Sequence, residues 1–302
     1  MIVSASRRTD IPAFFAPWFM NRVRAGYCLV PNPFNPKQVS RVSLLPEDVD
    51  AFVFWSKNPQ PMIEHLPELD SLGYAYYFLF TLNDYPIELE PKLPALARRL
   101  ATFKTLSERL GPDRVVWRYD PIVISTATPH DYHRERFSRL SRELSGYTRR
   151  VIVSIVHFYR KTDRRLSELE PNGIRFDRGA GGRPETVALL AHMGGVAAAH
   201  GMRIQSCAQE QDYTGAGVSP GACIDVGLVS LLGRPAPHDK DPGQRAACRC
   251  VVSRDIGVND TCLHGCRYCY ATRDNELAPQ RFTTYDPLSP ALWSGVPAAN
   301  NT

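Results

Sequence analysis

The 302-residue chain carries 36 Lys and Arg against 31 Asp and Glu, for a formal net charge of +5. With 43% hydrophobic and 22% charged residues and a mean hydropathy of −0.27, it is neither disordered nor collagen-like. No apolar stretch approaches the ~18–20 residues of a membrane span, and the start MIVSASRRTD turns charged too early for a secretory signal, so a cytoplasmic setting is expected.

In chain order, Met1–Ser4 is an apolar run that predicts a strand, and Ala13–Arg24 follows with helical spacing. Further strands are expected at Ala51–Trp55, Tyr74–Leu82, Arg114–Trp117, Arg150–Val156, Met202–Ser206 and Cys250–Ser253. Their apolar residues are continuous rather than alternating, which marks strands buried on both faces. Helices are expected at Lys92–Leu110, Tyr132–Leu144 and Thr186–Ala199, the last opened by Pro184 and stopped by Gly201. Prolines punctuate loops at Pro31–Pro36 and Pro235–Pro242. This alternation predicts an α/β fold with a parallel sheet, open or closed as a (β/α) TIM-type barrel. No internal repeat or composition shift divides it, so residues 1–302 read as one domain.

Polar residues gather where the predicted strands end. Ser4 to Asp10 follow the first, Ser56-Lys57-Asn58 the second, and Thr81-Leu82-Asn83 the third. Arg118-Tyr-Asp120-Pro121, His157 and Cys207-Ala-Gln-Glu210 follow the next three. Loops are polar in general, but parallel α/β folds place their functional sites at the carboxyl ends of the strands. Six such clusters in a row therefore point to one shared polar face.

Eight cysteines in a chain without an export signal suggest metal ligands or reactive thiols rather than a disulfide framework. Five lie between Cys248 and Cys269, and Cys262-Leu-His-Gly-Cys266-Arg-Tyr-Cys269 is a C-x3-C-x2-C triplet. Three thiolates so spaced can hold three irons of a [4Fe–4S] cube and leave the fourth open. Gly265 suits the tight curl, and Tyr268 can shield the cluster from water. A Cys3His zinc site using His264 is the competing reading, with the histidine awkwardly placed between two ligands.

CLHGCRYCYA resembles the cluster motif of the radical S-adenosylmethionine superfamily. That resemblance implies S-adenosylmethionine on the open iron, its reductive cleavage, and hydrogen abstraction from a substrate by the 5′-deoxyadenosyl radical. It also implies an electron donor such as a flavodoxin or ferredoxin. The superfamily normally carries this motif after its first strand, whereas here only 33 residues follow Cys269. Three further motifs resemble the spore photoproduct lyase branch: Ser4-x4-Thr9-Asp10-x-Pro12, Trp55-Ser-Lys57 and Arg118-Tyr-Asp120-Pro121. Their order matches that branch with the cysteine strand moved from front to back, which implies a circular permutation with residues 245–275 as the cluster segment. From SASRRTDIP through FWSKNP and RYDPI to CLHGCRYCYA, the chain also resembles the 1848 domain-of-unknown-function family, which implies no particular reaction.

On this resemblance Ser4, Ser6, Arg7, Thr9 and Asp10 are the candidates to flank S-adenosylmethionine. Lys57, Asn83, Arg118 and Asp120 would orient cofactor or substrate, Arg118 being suited to a carboxylate or phosphate; a structural salt bridge between Arg118 and Asp120 is the plainer alternative. His157 would move protons or simply hydrogen-bond. Among the remaining cysteines, Cys28 reads as a small buried hydrophobe. Cys207, Cys223, Cys248 and Cys250 make the number a closed tetrathiolate needs, as a second iron–sulfur cluster, a zinc site or, more plainly, ordinary interior thiols. Two functions of different class follow: a radical enzyme, or a non-catalytic, regulatory metal-binding protein. The mild charge permits a nucleic-acid partner without arguing for one.

Overall fold

In a computed structural model describing residues 1–235 and 237–293, the apolar runs become a sheet whose two faces carry different cores. The single-domain expectation for 1–302 extends over 294–302, and the proline loop over Ala236; both lie outside the described residues. The chain begins with strand β1 (Ile2–Ala5) and helices α1 (Ile11–Phe14) and α2 (Ala16–Ala25). The single helix expected over Ala13–Arg24 is thus broken at Phe15, because Pro17 has no N–H to give a helix interior but is well suited to a first turn. A separate antiparallel hairpin follows, β2 (Tyr27–Pro31) with β3 (Val39–Ser43), and holds Cys28 fully buried.

Next come β4 (Ala51–Ser56), α3 (Gln60–Ile63), α4 (Leu66–Ser71), β5 (Tyr76–Thr81) and α5 (Leu96–Leu110). They are followed by β6 (Val115–Ile122), α6 (His130–Glu143), β7 (Arg150–Ile155), α7 (Arg160–Ser167) and α8 (Pro184–Ala199). The chain continues with β8 (Arg203–Cys207), β9 (Ser219–Gly221), α9 (Val226–Leu231), β10 (Arg254–Asp255) and α10 (Leu277–Phe282). The eight-stranded sheet has the order β10-β1-β4-β5-β6-β7-β8-β9, and every ladder in it is parallel. This is an α/β fold in which a late strand lies beside the first.

Alternation along each strand divides the two cores. Val3, Phe52, Phe54, Phe78, Trp117 and Val151 face the helices, and Trp117 stacks on Phe137 of α6 at 4.9 Å. Each such fully buried side chain contributes about 1.5–3 kcal/mol. Ile2, Val53, Tyr77, Leu79, Val116 and Ile152 point the other way, into a smaller core that they share with Cys207, Cys223, Cys248 and Cys250.

The strand expected at Cys250–Ser253 lies instead at Arg254–Asp255. The Val251 N–H bonds Ile224 O at 3.1 Å and Val251 bridges to Lys240, so this stretch serves contacts other than the main ladder. Arg118, Asp120 and Pro121 lie within β6 rather than after it. Among the described residues, no helix is long and apolar enough to cross a membrane.

Candidate functional site

The site is built where β10 meets β1. Asp255 accepts hydrogen bonds from Ser4 Oγ at 2.9 Å, Ser6 Oγ at 2.7 Å, the Arg7 N–H at 2.8 Å and the Gly257 N–H at 3.0 Å. One carboxylate thus joins the polar turn after β1 to the segment leading into the cysteine motif. The close approach requires glycine at 257, where a Cβ would fall 1.9 Å from Ser6 Oγ. Ser4 and Ser6 are committed to this joint. Arg7 extends past it, with its Nη2 3.3 Å from Ser253 Oγ and its carbonyl accepting from Tyr270 Oη at 2.9 Å.

Beyond the joint the cysteine loop is closed at its base. Asp260 N donates to Ala271 O at 3.1 Å, and the Asp260 carboxylate accepts from Arg273 Nε at 2.9 Å. Buried Arg165 of α7 then gives its guanidinium to three carbonyls of the loop, those of Arg267, Cys269 and Thr272. Gly265 turns the chain with φ +69°, a conformation that disfavours a side chain. Cys266 and Cys269 sit against an apolar shell that includes Leu89, Val123, Leu166 and Tyr268.

Withdrawal from water raises the Cys262 thiol well above its ordinary value, with nearby Asp10, Cys269 and Cys266 adding to the effect. Burial likewise pushes Cys266 up to about 12, against the pull of Lys57. His264 Nε2 lies 2.8 Å from Asp10 Oδ2, its ring packs 4.6 Å from Phe14, and its Nδ1 is left without a partner. Asp10 also caps α1 through the Ala13 N–H at 3.0 Å and accepts the Lys57 N–H at 2.7 Å. Asp10 therefore fixes the positions of His264 and Lys57 around the triplet.

Lys57 leads the second group of candidates. Its Nζ donates to Glu90 Oε1 at 2.7 Å and to Tyr268 Oη at 2.9 Å, and Tyr268 also donates to Glu90. Burial opposes ionisation of Glu90, but Lys57 and Arg99 outweigh it and hold the carboxyl below its ordinary value. Asn83 clamps the Asp120 backbone through two 3.1 Å bonds and reaches Tyr268 Oη at 3.5 Å. Arg118 pairs with Asp120 and lies 4.7 Å over the Trp55 ring. His157 is exposed, its ring tilted 58° against that of Tyr159 with centroids 4.4 Å apart, and stands outside the Lys57–Glu90–Tyr268 network. Thr9 Oγ1, Asn58 Oδ1, Glu90 Oε2, Arg118 Nε and His264 Nδ1 are buried with hydrogen-bonding capacity unspent.

The other four cysteines lie apart, in the smaller core on the sheet face opposite the large helices. Cys223 Sγ is 3.3 Å from Cys207 Sγ, the Ile224 N–H donates to Cys250 Sγ at 3.3 Å, and the Cys250 N–H to Cys248 Sγ at 3.5 Å. Among the described residues, no three His, Cys, Asp or Glu side chains already surround a single point as a ready ligand set.

The family described as Domain of unknown function (DUF1848) matches residues 2–271, a span that takes in β1, both cysteine groups and the Asp255 joint. The chain belongs to the DUF1848 family. Comparison with curated proteins gave no match. For this DUF1848 chain, three site residues escape sequence reasoning. Asp255 is a carboxylate in a strand too short to show a pattern, Glu90 sits in the ordinary-looking loop ELEPKLP, and Arg165 is one of several basic residues on α7.

Proposed function

We propose that Cys262, Cys266 and Cys269 hold a [4Fe–4S] cluster with one open iron, and that the chain is a radical S-adenosylmethionine enzyme. The observation that carries this reading is the donor set. Three buried or half-buried thiols occupy one rigidly tied loop, with Lys57 acting electrostatically on Cys266 and an apolar wall behind them. Thiols whose acidity burial suppresses are ionised by the iron they bind. They need not converge at single-ion distance, because each ligates a different iron of the cube.

When bound, such a cluster held by Cys262, Cys266 and Cys269 would supply one-electron reduction chemistry toward S-adenosylmethionine. The chain's own residues bind and orient. Arg165 and Asp260 fix the loop, and Asp10 aligns His264 with Lys57. The unspent atoms of Thr9, Asn58, Glu90 and Arg118 offer hydrogen bonds to a polar ligand such as the cofactor's methionine end.

The sheet order supports a permuted (β/α) barrel. The strand preceding the cysteine motif lies beside β1, as a first strand would beside a second, and the large helices pack on one face of the sheet. The test is anaerobic reconstitution with ferrous iron and sulfide, then reduction with dithionite in the presence of S-adenosylmethionine. About four irons and 5′-deoxyadenosine formation in the unaltered chain, both lost in Cys266→Ala, are the expected results. Four irons without cleavage would leave a non-catalytic cluster protein, and zinc alone in the triplet would overturn the reading.

A further inference from the structure

We propose that Cys207, Cys223, Cys248 and Cys250 form a tetrathiolate site for a single zinc ion, which ties the two edges of the sheet together. The four come from three separate segments. Cys207 ends β8, Cys223 lies two residues past edge strand β9, and Cys248 and Cys250 precede edge strand β10. The backbone already meets at this seam, where the Val251 N–H donates to Ile224 O at 3.1 Å.

Contact distance decides the metal. Ligands 2.3 Å from a tetrahedral zinc stand ~3.8 Å from one another, whereas cluster thiolates sit on separate irons and stand farther apart. The Sγ atoms of Cys207 and Cys223 are 3.3 Å apart, near the zinc spacing, and Cys250 and Cys248 share one small core with them. The Cys207–Cys223 pair is joined to Cys250 and Cys248 through the Ile224 and Cys250 backbone N–H groups, and one ion would draw the four thiols into a shell. Cys248 stands in an irregular segment that can adjust by a side-chain rotation.

The surroundings suit a site with four thiolates. The Ile224 N–H donates to Cys250 Sγ at 3.3 Å and the Cys250 N–H to Cys248 Sγ at 3.5 Å, the outer hydrogen bonds that steady ligating sulfurs. Arg118 and Arg245 act electrostatically on Cys207 and Arg7 on Cys250, offsetting the net negative charge of zinc with four thiolates. A cleft of about 770 Å³ lined by Ser206, Gln209, Gly221 and Cys248 opens beside the quartet and gives the ion a path from solvent.

The site is independent of the triplet, and its test keeps the two apart. In a full-length background with Cys262, Cys266 and Cys269 all changed to Ala, elemental analysis should find one zinc per chain. Adding Cys223→Ser and Cys250→Ser should remove it. A second measurement needs no variant: alkylation of the native protein mapped by mass spectrometry. Cys207, Cys223, Cys248 and Cys250 should react at least an order of magnitude faster after chelation, and Zn²⁺ added back should restore protection. Iron in place of zinc, no metal at all, or alkylation unchanged by chelation would overturn the proposal.

Discussion

The two cysteine groups contrast in what surrounds each thiol. In the triplet every sulfur has a different neighbourhood: Asp10 acts on Cys262, Lys57 and Glu90 on Cys266, and the Thr272 hydroxyl reaches Cys269. In the quartet the sulfurs are one another's neighbours. They alternate in character, with hydrogen bonds from Cys223 and Cys248 lowering Cys250 while Cys223 and Cys248 are themselves raised. The first arrangement surrounds its thiols with polar groups, several of them unspent. The second brings sulfur together with few polar side chains to spare. The contrast teaches that thiols far apart along the chain can meet in the fold, since Cys207 and Cys223 are in sulfur contact although they come from different segments.

If the triplet end depends on its polar network, Lys57→Met should give the largest effect. It strands the Glu90 carboxylate, whose side chain is 1% exposed, at a cost of about 3–5 kcal/mol at neutral pH. The added change Glu90→Gln should recover most of this loss in urea titrations. Equal stability of both variants would break the contrast. Next in size is Asp255→Ala, which unpairs Ser4, Ser6 and two backbone N–H groups. It should cost about 3 kcal/mol and loosen β10 from β1, seen as faster amide exchange at Ile256, whose N–H bonds Ser4 O.

The wall behind the triplet carries an acid-sensitive element that the quartet lacks. His133 is fully buried between Tyr119 Oη at 2.8 Å and Val123 O at 3.0 Å, and burial lowers it to about 4. Because the folded value lies below the unfolded one, its contribution is complete above ~6.5 and fades as pH falls toward 4. Stability should therefore drop by about 2 kcal/mol between roughly pH 7.5 and pH 5 from this residue. A His133→Asn variant should show a correspondingly flatter profile over that range; an unchanged slope would remove His133 from the account. The smallest effect belongs to Gly265→Ala, where φ +69° and Pro91 Cγ 3.4 Å from a new Cβ should cost about 1 kcal/mol in thermal unfolding.

Much of the fold was legible because its signals are local. Ala51–Trp55 and Arg150–Val156 are continuous apolar runs, and the structure extends or trims each by one residue. Pro184 and Gly201 bracket α8 as caps do. The hairpin of β2 and β3 escaped because its outer strand is largely exposed and carries no apolar run. The site was legible only as far as chemistry shows in one segment. Lys57, Asn83 and Arg118 follow apolar runs, so they stood out, whereas Glu90 and Arg165 matter for the distant atoms they meet. Asp255 gave no sign for the same reason, since its partners are some 250 residues away, with |i−j| of 251 for Ser4 and 249 for Ser6.

That separation bears on how the protein is made. On the ribosome β1 emerges first, yet the carboxylate that satisfies its polar turn emerges only after nearly all the rest of the sheet. Until then Ser4, Ser6 and the Arg7 N–H must rely on water, and one edge of the growing sheet stays open to other chains. Contacts spanning so much sequence also slow folding. Synthesis truncated before residue 255 should therefore leave a soluble-to-aggregated boundary at this joint, and the full chain should gain its protease resistance in a single late step.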